Sequence, residues 1–188
     1  SQYNAIEDKL DAIQNSFQIF SHYSSGTDNL RLGRYEEAIA DYDKAISLDP
    51  YHTSAYFNRA VAKRKLQRYE EAINDYEQHI SLDRNYAPAY AGKALSKSSL
   101  GRYEEAIKDY DKAISLDPNY AGAYNNRGIS KRYLERNEEA IADYDKAISL
   151  NPEYAKAYFS RGLVYQMLGE QVNADQDFAK AKELGYEG

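Results

Sequence analysis

The segment DYDKAISLDP at 41–50 returns at 109–118 and, with one change, as DYDKAISLNP at 143–152. The copies start 68 and then 34 residues apart, so the chain has a period of 34. A period of that length decides the fold before any local reading, because each unit must bury its apolar face on its neighbours. Laid out at 34, the units run 19–52, 53–86, 87–120, 121–154 and 155–188, after an 18-residue preface.

The second half of each unit reads as one helix. In YEEAIKDYDKAISL its apolar residues Ala106, Ile107, Tyr110, Ala113, Ile114 and Leu116 fall on one broad stripe rather than alternating. Glu104 and Glu105 occupy the first turn, where the helix dipole favours negative charge. Asp117-Pro118 ends it, since a residue before proline avoids the α region. The first half, as in AGAYNNRGISKRYL, predicts a second helix, and a break such as Leu100-Gly101-Arg102 joins the two. Each unit is thus expected to be a helix pair.

Small residues recur where the two helices must approach. Place 8 of the repeat holds Gly26, Ala60, Ala94, Gly128 and Gly162; place 20 holds Ala38, Ala72, Ala106, Ala140 and Ala174. Large rings fill place 4 (Tyr56, Tyr90, Tyr124, Tyr158) and place 24 (Tyr42, Tyr76, Tyr110, Tyr144, Phe178). Small facing large is how antiparallel helices interlock. With proline at place 32, this pattern resembles the tetratricopeptide repeat (TPR) family over residues 19–188. His22 at place 4, His79 at place 27 and Arg84 at place 32 depart from it. The resemblance implies an all-α solenoid, a right-handed superhelix of stacked antiparallel helix pairs whose concave face binds peptides or protein segments. Fourteen of the 20 tyrosines fall at places 4, 17, 24 and 34, which makes most of the tyrosine content packing rather than a binding surface.

Composition excludes several classes. With no cysteine there are no disulfides, thiolate metal sites or cysteine nucleophiles. A net charge of −6 argues against nucleic acid as the main partner, and no apolar run approaches a membrane span. His22, His52 and His79 occupy different places and form no ligand pair. No Gly-rich phosphate loop or nucleophile constellation occurs, so neither enzyme activity nor a cofactor is expected. The chain opens on Ser1 without a signal-peptide pattern, which reads as a processed form or a fragment, and a cytoplasmic location is expected.

Both ends of the array differ from its middle. Places 21 and 28 are isoleucine in units one to four but Asp175 and Lys182 in unit five, a polar cap that is expected to end the stack. In the preface, AIEDKLDAI at 5–13 resembles AIADYDKAI of the repeats, with Ile6 and Ile13 in place of the isoleucine pair. Residues 1–18 are therefore expected to form a lone capping helix over unit one, either a natural cap or half of an earlier, degenerate repeat.

Two polar patterns remain. Arg59, Lys93, Arg127 and Arg161 at place 7 each have an acid at a constant offset, namely Asp75, Asp109, Asp143 and Asp177, which predicts pairing between helices. The other pattern depends on the resemblance, which puts places 2, 5, 6, 9, 12 and 13 on the concave face. In this chain those places carry no acid and include Tyr23, Phe57, Asn58, Arg64, Lys65, Asn125, Asn126, Arg132, Tyr133, Lys156 and Phe159. They are the expected peptide-binding residues, with the asparagines able to bond an extended backbone. A carboxylate clamp of the kind some family members use on chaperone tails is incomplete here, since Asn126 and Lys156 are present but Ala91, Leu95 and Ser160 fill the other places. The expected role is a protein-interaction scaffold for an extended, net-acidic segment. The alternative is a scaffold that self-assembles through its terminal units.

Overall fold

A computed structural model describes residues 2–186, so Ser1 and Gly188, the outer bounds of the first and last segments assigned above, lie outside the described residues. Among the described residues there are ten helices and no strand. The chain forms two compact units, Ser1–Arg84 and Asn85–Gly188.

The first unit holds α1 (Gln2–Arg31), α2 (Tyr35–Leu48), α3 (Thr53–Lys65) and α4 (Tyr69–Leu82). Here α1 pairs with α2 and α3 with α4, while α3 also packs on α2 and touches α1. The second unit holds α5 (Ala87–Ser99), α6 (Tyr103–Leu116), α7 (Ala121–Tyr133), α8 (Asn137–Leu150), α9 (Ala155–Met167) and α10 (Gln171–Glu183). Its three pairs stack in chain order, and the first helices α5, α7 and α9 lie side by side. This is the all-α architecture of stacked helix pairs that the period predicts.

Packing follows the small-against-large rule. A methyl group added at Gly128 would sit 2.7 Å from the Tyr144 ring, and one at Gly162 2.8 Å from Phe178. Tyr42, Tyr76, Tyr110 and Tyr144 are fully buried, as are the place-20 alanines. Helices α2, α6 and α8 end as the following proline predicts, while α4 stops at the same place without one, and in the first three the side chain adds a further lock. Asp49 and Asp117 accept a hydrogen bond at Oδ1 from the backbone N–H two residues on, each at 3.0 Å, and Asn151 does so at 3.1 Å. These Asx turns reverse the chain into the next helix. Within each pair the turn needs a left-handed residue at place 15. Gly33, Gly101 and Gly169 supply it, whereas Gln67 and Glu135 adopt φ 59° without being glycine.

The preface departs from expectation. Helix α1 runs unbroken from Gln2 to Arg31, so residues 2–18 form no separate helix over unit one. Ile6 and Ile13, expected to be covered, are exposed. The physical reason is a missing stop: no proline or glycine follows Ile13 until Gly26, and a helix without a stop continues.

Candidate functional site

The polar ladder is structural. Arg59 grips Asp75 with two bonds, Nε to Oδ2 at 2.8 Å and Nη2 to Oδ1 at 2.6 Å, and its Nη1 reaches Asp43 of the preceding pair. Arg127 does the same with Asp143 and Asp111, and Arg161 with Asp177 and Asp145. Burial works against the Arg59 charge, but Asp75 and Asp43 more than offset it, so its pKa is raised. Each of these guanidinium groups also lies 5.4–5.7 Å from the ring of the place-4 tyrosine, Tyr56, Tyr124 or Tyr158. Sequence reasoning found the Arg–Asp pairs but missed two further members. Lys63, Lys97 and Lys131, all at place 11, are second donors to Asp75, Asp109 and Asp143 at 2.8–2.9 Å. Asp43, Asp111 and Asp145, all at place 25, take the remaining arginine nitrogen. The signal was available in each case as the same residue type at one place in three units.

The expected binding residues divide into three groups. Tyr23, Phe57 and Phe159, all at place 5, lean into the packing. Tyr23 lies 4.6 Å from the His52 ring, Phe57 5.7 Å from Tyr76, and Phe159 4.8 Å from Tyr186. Asn125 is fully buried, with Nδ2 donating to Asn126 Oδ1 at 3.1 Å, so it orients Asn126 rather than meeting a ligand. Asn58 donates to the Tyr23 hydroxyl at 3.2 Å.

The remaining residues are accessible. In the first unit Arg64 is half-buried and Lys65 exposed, and neither forms an ion pair among the described residues. In the second unit Asn126, Tyr133 and Lys156 come together around a hollow of about 350 Å³. Leu95, Ser98 and Ser99 of α5, Ile129 of α7, and Tyr103 and Tyr110 of α6 complete its wall. None of these is acidic, and Lys156 alone is charged. Tyr103 and Tyr133 stack with centroids 4.8 Å apart and planes 4° from parallel, and the Arg132 guanidinium lies 4.7 Å from the Tyr133 ring. Tyr103 was not among the expected site residues; its contribution comes from α6, outside the first-helix places. Among the described residues no group of three or more His, Cys, Asp or Glu is placed to hold a metal. No helix among the described residues is long and apolar enough to cross a membrane.

Comparison with known proteins gives the same picture. A family model described as TPR repeat matches residues 30–66, 98–131 and 130–169, and one described as tetratricopeptide repeat matches 53–86. The chain belongs to the tetratricopeptide repeat family. It is similar to a crystal structure of MamA protein (26% identity over 89% of this chain and 91% of that one, TM-score 0.78). It shares its fold with MamA 41-end from Desulfovibrio magneticus RS-1 (22% identity, 89% and 94% covered, TM-score 0.81). It also shares its fold with YrrB, described as a TPR protein with an unusual peptide-binding site (19% identity, 95% and 92% covered, TM-score 0.73). No curated protein matches the sequence significantly. Family and fold together support a protein-interaction scaffold.

Proposed function

We propose that this chain holds an extended, net-acidic segment of another protein against the faces of its first helices and performs no chemistry on it. The observation that carries this reading is the hollow between α5, α7 and α9. It offers the Lys156 ammonium, the Asn126 amide and the stacked Tyr103–Tyr133 pair, with no carboxylate in its wall. In a chain of net charge −6, this wall carries one positive charge and no acid. The amide meets a peptide backbone with donor and acceptor, the rings take apolar side chains, and the ammonium rewards a carboxylate. Charge complementarity acts mainly by raising the encounter rate and rejecting like-charged partners. The solved relative YrrB, with its peptide-binding site, lends the reading analogy at the level of fold.

The test uses labelled peptides of one length in three versions: glutamate-rich, the same with glutamine for glutamate, and the same with lysine. Binding should rank in that order and weaken with salt. Lys156→Glu with Asn126→Ala should abolish the preference for the acidic peptide. Glu104→Lys with Glu105→Lys, on the exposed first turn of α6, should leave it unchanged. Equal binding of the three peptides, or loss of the preference only in the α6 variant, overturns the proposal.

A further inference from the structure

Among the described residues, nothing buries six large apolar side chains of α1. Tyr3, Ile6, Leu10, Ile13, Phe17 and Phe20 are each 63–70% exposed. They advance by three, four, three, four and three residues, the spacing that keeps one seam facing a partner helix. Only beyond them does α1 enter the core, where Tyr23 and Leu30 pack in the first unit and Gly26 lies against Tyr42. Apolar surface this continuous marks an interaction face rather than scattered exposure.

We propose that a second copy of this chain covers the seam, running in the opposite direction. The seam reads the same backwards, since three, four, three, four, three is its own reverse. A reversed copy therefore sets Tyr3 against Phe20 of the second copy, Ile6 against Phe17, and Leu10 against Ile13. Every layer occurs twice about a two-fold axis, the self-complementary form that a symmetric dimer requires.

Charge selects the direction. Residues 7–11 carry Glu7, Asp8 and Asp11 against Lys9, while residues 14–22 carry no acid and no lysine or arginine. Parallel copies would set two acidic stretches side by side; reversed copies set each against a neutral stretch. Opposed helix dipoles favour the same arrangement.

The area is adequate. At on the order of 100 Å² of exposed surface apiece, the seam offers roughly 600 Å² per copy before its flanks are counted, against about 800 Å² per partner for a stable interface. The helix is also preformed, because α1 continues into the pair with α2. Docking therefore does not have to nucleate it, which lowers the ordering cost of a short seam.

Light scattering of the 188-residue chain over a dilution series should read twice its 21.5 kDa mass. Leu10→Asp with Ile13→Asp should halve that mass and leave the circular dichroism of the repeats intact. Since the chain has no cysteine, single cysteines report register cleanly. Ile6→Cys mixed with Phe17→Cys should give the mixed disulfide on mild oxidation, while either alone should not cross-link, its own copies lying about 16 Å apart along the axis. A wild-type chain that stays monomeric at the highest attainable concentration overturns the proposal. So does a dimer that survives the double aspartate variant, or an Ile6→Cys variant that cross-links to itself.

Discussion

Arg127 and Asp143 face each other as two parallel forks, Nε to Oδ2 at 2.9 Å and Nη2 to Oδ1 at 2.5 Å, closing α7 onto α8. The carboxylate is buried and Lys131 is its other donor. Truncating one partner of a buried pair ordinarily costs about 3–5 kcal/mol, because the other charge is stranded. With Lys131 still in place, Arg127→Met should cost about 2 kcal/mol, and Arg127→Met with Lys131→Met distinctly more than the sum of the singles. Urea denaturation of the three variants measures this; strictly additive losses would show that the two cations do not share Asp143.

Two turns hold a strained residue that the other turns give to glycine. Gln67 and Glu135 sit at φ 59°, where a Cβ costs about 1–2 kcal/mol in the left-handed region. Gln67→Gly and Glu135→Gly should each stabilise the fold by about 0.5–1 kcal/mol, the remainder going to the entropy of unfolded glycine. A fall in thermal midpoint for both variants would contradict the strain.

Asp175 and Lys182 are exposed on α10, at the places where Ile46, Ile114 and Ile141 join clusters that reach the next pair. Replacing both with isoleucine should create an apolar end face and drive association beyond that of the unmodified chain. Sedimentation at rising concentration reads the outcome. An unchanged mass would mean that those two charges do not act as the terminator.

Burial pushes the hydroxyls of Tyr144, Tyr42 and Tyr154 above their ordinary pKa of 10.0. A folded pKa above the unfolded one stabilises the fold fully below pH 10.0 and stops doing so as pH rises through the folded value. An alkaline titration should therefore show Tyr42, Tyr144 and Tyr154 ionising above pH 10.0 together with loss of helix. A single tyrosinate transition that leaves the helix signal intact would contradict this.

Much of the fold is legible because the same choices repeat. Gly128 under Tyr144, Ala106 in the core and Asp117 before Pro118 each follow from a local rule that holds at the same place elsewhere. The preface misled for a physical reason: helical periodicity gives the face of a helix but not its end, and Ile13 is followed by no stop signal. The binding places were legible only in part. A place number fixes the direction of a Cβ, yet a long ring swings from it, and the rings of Tyr23, Phe57 and Phe159 swing toward the core. Asn125 occupies the same place with a shorter side chain and is wholly covered. The acids at place 25 were missed because their partners belong to the following helix pair, so no reading within a single unit reveals them.

The reach of Arg59 back to Asp43, repeated by Arg127 to Asp111 and Arg161 to Asp145, makes each of these junctions a plug and a socket. A unit carries its plug at place 7 and its socket at place 25. Unit four, copied whole and spliced in after itself, would find a socket behind it in Asp145 and offer its own to Arg161 ahead. The first unit carries Ser25 where the plug belongs and the fifth carries Ala179 where the socket belongs. Duplicating unit four would therefore keep this contact at both new junctions, while a copy of it added after the fifth unit would keep its own Arg–Asp fork but find no acid behind it for the remaining arginine nitrogen.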